Sequence, residues 1–276
     1  MKKRFKKAFS MLELVFAIVV LGIVSSVGAD IIANTYRSYV LQRAQHSASI
    51  KSELAMLEIA NRLRYAIEGT IFRVKNDDSF EAIDLPLGSS GEDYKGLQWV
   101  AYDGDSFETS NTPGWTGMCD VAPSTKRKLV TPGSDLDLTD SVIQNLSSGS
   151  RSISDAVVYF PHGSGAYPID KDSDGNISFD SDSDMVEEHY KLAWSSYALI
   201  LEDADGDGVA NDLFLYYNFS PVPQATRGDI KKLLLKNITT FKFKGTDGVI
   251  RIKLCKEESI GESDKNITSC KEKAVF

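Results

Sequence analysis

FSMLELVFAIVVLGIVSSVGA, residues 9–29, decides how the rest of the chain is read. Twenty-one residues at a helical rise of about 1.5 Å make about 31 Å of helix, which matches a hydrocarbon core of about 30 Å. The basic residues before it, Lys2, Lys3, Arg4, Lys6 and Lys7, should hold that end in the cytoplasm. Glu13 stands inside the apolar run, where a charged, unpaired carboxylate costs roughly 2.5–3.5 kcal/mol at the bilayer centre. Nearer the interface it can snorkel or protonate at lower cost; the sharper reading gives it an amine as partner. Cleavage just before Phe9 would create such an amine four residues away, at the same depth.

Working outward, no proline occurs before Pro86 and no glycine between Gly28 and Gly69, so the helix is expected to continue to about Glu68, about 90 Å in all. Ile32, Tyr36, Tyr39 and Val40 recur at helical spacing, as do Met56, Ile59, Ala60, Leu63 and Ile67. The second stripe should lie along the chain's own head; the first implies lipid and neighbouring subunits. Beyond Asn76 short β-branched and aromatic runs alternate with Gly, Asp, Ser and Pro clusters, which predicts antiparallel strands over 96–102, 156–160, 197–201 and 212–219. Residues 239–244 and 249–254 alternate apolar and basic on both sides of a Gly-Thr-Asp-Gly turn, the pattern of a hairpin with one buried face. The expected class is α+β: one long N-terminal helix (9–29 in the membrane, 30–68 amphipathic) packed on an antiparallel β-sheet head (69–276).

The chain carries 276 residues, 42% apolar and 25% charged, enough to bury a core. Its net charge is −8, and five of the positives lie in residues 1–8, so the remainder carries −13. That excludes a broad nucleic-acid surface by charge, though not a local patch. Three Cys exclude a disulfide-built scaffold, and three scattered His argue against a His-based zinc site.

The stretch KKAFSMLEL, residues 6–14, followed by its apolar run resembles the processing site of type IV prepilins and type II secretion pseudopilins. In that family a membrane aspartyl prepilin peptidase cuts on the cytoplasmic side between the small residue and the aromatic one, then methylates the new amino terminus. The resemblance implies a leader of residues 1–8, a cut between Ala8 and Phe9, and Glu13 as the carboxylate that pairs with the terminal amine during assembly. Ala8 stands where Gly is usual. The resemblance further implies a pilin-like fold, an inner-membrane assembly platform and other pilin or pseudopilin subunits as partners, and a single span with the head in the periplasm. The size of the head and the late hairpin look more like a minor subunit than a major one. A rival reading is an exported calcium-stabilised adhesin or binding module, either anchored by the same helix or released by ordinary signal peptidase after Val27-Gly-Ala29.

Two acidic runs have the spacing that lets a looped backbone aim several oxygens at one calcium ion. The first offers Asp170, Asp172, Asp174, Asn176 and Ser178 with Gly175 for the turn, similar to the start of an EF-hand loop but with Ser181 at the twelfth position; the second offers Asp203, Asp205, Asp207, Asn211 and Asp212. The bland alternative for each is a solvated Asp/Gly turn. Cys255 and Cys270 enclose fourteen residues, and a disulfide there suits an oxidising compartment, stapling a polar tail to the last strand. Cys119 reads as a buried free thiol. Ser164, in His162-Gly-Ser-Gly165, lacks the surroundings of a nucleophile elbow, so no enzyme is expected. Asn176 and Asn266 sit in acidic-extended glycosylation sequons.

Overall fold

Ser10 starts the helix. Its hydroxyl accepts the Glu13 backbone N–H at 3.2 Å, so one orphan donor of the first turn is capped, and the Glu13 carboxylate sits where the helix dipole favours negative charge. The structure is a computed structural model that describes residues 10–86, 94–107, 112–163, 165–246, 248–260 and 266–275. In chain order it holds α1 (Met11–Leu63), β1 (Phe72–Lys75), β2 (Phe80–Ala82), β3 (Tyr94–Ala101), α2 (Gly104–Phe107), β4 (Asp120–Thr125), β5 (Lys128–Val130) and α3 (Leu136–Leu146). There follow β6 (Val157–Tyr159), β7 (Tyr167–Lys171), β8 (Ile177–Phe179), β9 (Lys191–Ala193), β10 (Ser195–Glu202) and β11 (Asp212–Phe219). The last four strands are β12 (Lys231–Leu235), β13 (Ile238–Thr246), β14 (Val249–Ser259) and β15 (Asn266–Val275). The class is α+β, with every strand pair antiparallel.

Helix α1 ends at Leu63, short of the expected Glu68. The reason is a competing partner for the backbone: Ala66 bridges to Ala101, the Ile67 N–H donates to the Val100 carbonyl at 2.9 Å, and Gly69 turns the chain at φ +79°. Ile67 is buried as expected, through this bridge rather than as a further turn of the stripe. At 53 residues the helix is about 80 Å long.

Three sheets form the head. The first runs β12-β11-β10-β3-β1-β2, the second β13-β14-β15, the third β4-β5-β8-β7-β6-β9. The apolar stripe of α1, Ala55, Met56, Ile59, Ala60 and Leu63, joins Leu97 and Trp99 of β3 with Phe241, Ile252 and Leu254 of the second sheet in one core. Full burial begins at Ala48, so the segment 30–47 is uncovered for most of its length, and Ile31, Ile32, Tyr36, Tyr39 and Leu41 are exposed. The predicted hairpin is β13–β14, with Phe241 and Phe243 inward and Lys242 and Lys244 outward. Residues 266–275, read in sequence as a polar tail, form a full strand with alternating burial.

The Cys255 and Cys270 sulfurs lie at bonding distance, 2.13 Å, on directly opposed residues of β14 and β15. Closing this loop contributes about 3 kcal/mol on chain-entropy grounds. Cys119 is a buried free cysteine whose thiol donates to the Glu187 carbonyl at 2.9 Å, and burial pushes it above the ordinary thiol range.

Strands β3 and β10 are direct neighbours, with Ala101 opposite Ser195, so everything from Tyr102 to Trp194 leaves and re-enters the first sheet at one point. This insertion has its own core around Trp115, Leu129, Ile143, Ile169, Ile177 and Leu192. Asp103 pins the junction. Its N–H donates to the Leu192 carbonyl at 2.8 Å, its carbonyl accepts Trp115 Nε1 at 3.0 Å, and its carboxylate accepts the Ser106 N–H at 3.3 Å and the Ser106 hydroxyl. Burial lifts this carboxyl from 3.8 to about 6, so the folded state holds its proton more tightly than the unfolded chain does. Stability from this group is present in full below pH about 4 and is lost as pH rises through about 6, with about 3 kcal/mol as the upper bound. Asp103→Asn keeps an acceptor for Ser106 and is expected to flatten the stability profile between pH 4 and 6, read by urea unfolding at fixed pH values.

Candidate functional site

The membrane-type segment and the acidic loops are the two places where residues of functional type gather. Helix α1 is long and apolar enough to cross a membrane, and its apolar window is uncovered by the rest of the chain. Ser10, Leu12, Glu13, Phe16, Ala17 and Val20 lie along one shallow groove of that bare helix, so among the described residues Glu13 shares a face with apolar neighbours. Ala8 and Phe9 lie outside the described residues. Sequence reasoning passed over Ser10, although the Ser10-x-x-Glu13 spacing of a capping box was legible.

The two acidic runs part company. In the first, β7 and β8 pair as a hairpin, with Asp170 opposite Ser178 and Gly175 at φ +76° in the turn. Its three carboxylates do not gather as one group. Asp170 accepts from Ser154 Oγ at 2.9 Å, while Asp172 and Asp174 both take Lys128 Nζ, at 2.7 and 3.0 Å. The Asn176 side-chain oxygen lies 3.4 Å from the Thr131 N–H, and Ser178 Oγ donates to the Asp170 carbonyl at 3.1 Å. The hydrogen bond from Lys128 holds the Asp172 carboxyl below the usual carboxylate range. Lys128 thus pairs with two of the five residues expected to hold calcium. Lys128 was not foreseeable as that partner, because it arrives from β5 through the pairing of Lys128 with Ser178.

The second run does gather. Asp203, Asp205 and Asp207 each offer a carboxylate oxygen, all within 4.8 Å of one another, on the exposed loop between β10 and β11. Among the described residues this is the one such cluster of acidic, His or Cys ligands. Asp203 accepts the N–H groups of Gly206 at 2.7 Å and Gly208 at 2.9 Å, and Asp207 accepts that of Val209 at 2.7 Å. Gly206 and Gly208 supply φ of +80° and +88°, which closes the loop tightly enough for the carboxylates to meet. The backbone hydrogen bond from Gly208 leads in holding the Asp203 carboxyl below its ordinary value, so it stays ionised for a cation. Of Asn211 and Asp212, expected to join this set, Asp212 lies outside the cluster of three. The Asn211 backbone carbonyl is held by the Ile238 N–H at 2.8 Å, and the Asp212 side chain is buried at the start of β11 with Lys236 Nζ at 3.7 Å. The loop therefore presents three carboxylates that can hold a metal ion.

His162 Nδ1 lies 3.2 Å from the Glu187 carboxylate, and Ser164 lies outside the described residues. The chain matches no family model, no curated protein and no solved structure.

Proposed function

We propose that the chain is a minor pilin or pseudopilin, a structural subunit held in the inner membrane by α1 and added through that helix to a type IV pilus or type II secretion pseudopilus, with its head in the periplasm before assembly. The observation that carries the reading is the surplus of bare helix. A hydrocarbon core of about 30 Å consumes about twenty residues, yet the bare part of α1 extends from Met11 to Leu41, before the head's Thr268 and Ser269 come alongside. A plain anchor has no use for Ile31, Ile32, Tyr36 and Tyr39 standing in water beyond it, whereas a subunit that packs helix against helix buries them. Its work on this reading is assembly rather than catalysis. Mass spectrometry of the mature amino-terminal peptide from the native host tests it: methylated Phe9 supports the reading, and a start at Asp30 replaces it with an exported adhesin or binding module.

Calcium is the proposed occupant of the Asp203, Asp205 and Asp207 loop, since hard oxygen ligands on an exposed Asp/Gly loop suit it. Calorimetric titration should find one site, with a dissociation constant of about 0.1–1 mM as in extracellular modules. Asp205→Asn is expected to weaken it at least tenfold, while paired Asp172→Asn and Asp174→Asn changes leave it intact. Loss of the site in the second variant instead of the first would move the metal to the β7–β8 hairpin.

A further inference from the structure

The outward face of the second sheet carries a block of positive charge in an acidic protein. Lys242 of β13 stands directly opposite Lys253 of β14, and Lys244 opposite Arg251. All four are exposed, and none enters an ion pair among the described residues. Side chains on one face of a strand repeat every two residues, about 6.8 Å, and opposed Cβ atoms are about 5 Å apart. Four like charges in that lattice repel one another, and Glu272, opposite Lys253 on β15, offsets only part of that cost within one head.

Three kinds of anion could recover it, and two fit poorly. Lipid headgroups are out of reach: Gly245 and Ile250, beside this block, line the same cleft as Leu63, about 50 Å along the helix from residue 29 and several Debye lengths from the bilayer. A nucleic acid would find no aromatic side chain here, since the neighbours on this face are Thr240, Thr246, Val249 and Glu272, and it would extend over a surface of opposite preference.

The chain itself carries the third. Asp180, Asp182 and Asp184 are exposed at the same two-residue period, on the segment that follows β8 in the third sheet. Among the described residues their one cation is Arg127, 3.6 Å from Asp182 with both side chains largely exposed, while Asp184 interacts with the Tyr167 hydroxyl, so the group keeps net negative charge. Unlike Asp203 and Asp207, they are not folded back onto their own loop. The backbone beneath them is fixed, with the Asp180 N–H donating to Pro168 and the Ser183 N–H to Lys126, at 3.2 and 2.9 Å.

We propose that Lys242, Lys244, Arg251 and Lys253 of one chain dock on Asp180, Asp182 and Asp184 of a second copy, a head-to-head contact between neighbouring subunits. The two patches differ and lie on different sheets, so the contact is heterologous, unlike the self-complementary patch of a dyad. It rests on the assembly reading in one respect: exposed charge pairs are weak alone and need the high local concentration that membrane helices provide.

The test places equal amounts of ordinary and heavy-nitrogen-labelled full-length chain in phosphatidylcholine vesicles and treats them with a carbodiimide, which joins amines to carboxylates in contact. Mixed-isotope links from Lys242, Lys244 or Lys253 to residues 180–184 are expected. Reversing only Arg251 and Lys253 to Glu, which leaves the Lys242 and Lys244 amines in place, or only Asp180 and Asp184 to Lys, which leaves the Asp182 carboxylate, should each reduce the remaining links at least fivefold, and mixing the two reversed chains should restore them. Glu13→Leu in the same vesicles should keep the links, so failure of helix-driven assembly and failure of the head contact read separately. Absence of links in the unaltered chain, links unchanged by reversal, or links at other positions would overturn the proposal. So would displacement by a 20-base-pair DNA duplex whose binding falls with salt at a slope of about −3.6, the value for four phosphate contacts.

Discussion

Glu13→Leu is expected to leave the chain inserted in the membrane and absent from filaments. Removing a carboxylate from an apolar run makes insertion easier, so a fractionation assay should find the protein in the inner membrane at unchanged or higher yield. Recovery in sheared filaments should drop by a factor of ten or more if the carboxylate pairs with the amino terminus of an incoming or neighbouring subunit. The geometry at Ser10 supplies a second variant that separates two roles. The Glu13 N–H caps onto Ser10 Oγ whatever the side chain, and Gln retains the hydrogen-bonding shape of a capping residue without the charge. Glu13→Gln should therefore fail like Leu if charge pairing is the role. Full incorporation of the Gln variant would reduce Glu13 to a helix-start residue, with an effect of about 1 kcal/mol on local helix stability.

The second large effect lies at the seam between helix and head. Ile59 is 1% exposed, within the core that joins α1 to β3 and the second sheet, whereas Leu57, two residues away on the same helix, is 37% exposed. Ile59→Ala is expected to destabilise the head by about 2–5 kcal/mol through lost burial and the cavity left behind, and Leu57→Ala by less than about 1 kcal/mol. Denaturant unfolding in detergent, followed by the fluorescence of Trp99 in the same core, would measure both. Similar losses for the two variants would mean that the helix is held by something other than this stripe.

Local pattern carried much of the fold. The stripe at Met56, Ile59, Ala60 and Leu63 and the alternation across residues 239–254 each commit a face to the core within a few residues, so both were legible. Helix α3 was not read, although Asp135 caps it through the Leu138 N–H at 3.1 Å in the way an Asp before an amphipathic run allows. The insertion between β3 and β10 was beyond reach for a different reason: which strands become neighbours across so long a separation is decided by the packed whole. The same holds for the candidate metal site. Alternating acids mark both runs equally in sequence, and only tertiary pairing delivers Lys128 to one and leaves the other free. Asp212 was drawn from the second set by the need to meet the turn between β12 and β13, where its carboxylate takes the Asn237 N–H at 3.4 Å.

The disulfide-linked strand β15 packs against α1, so the first and last elements of the chain share a seam, tied by Lys271 to Glu53 at 3.1 Å. During synthesis the helix emerges before its cover, and β13, β14 and β15, which complete that cover, follow it only after the whole of the first and third sheets. Until then Met56, Ile59 and Leu63 have no complete surface to fold onto, and sequence-distant contacts of this kind form slowly. The nascent chain must wait with a sticky helix exposed, and that interval, rather than the finished molecule, is where a holding chaperone has most to do and where truncated products are most prone to aggregate.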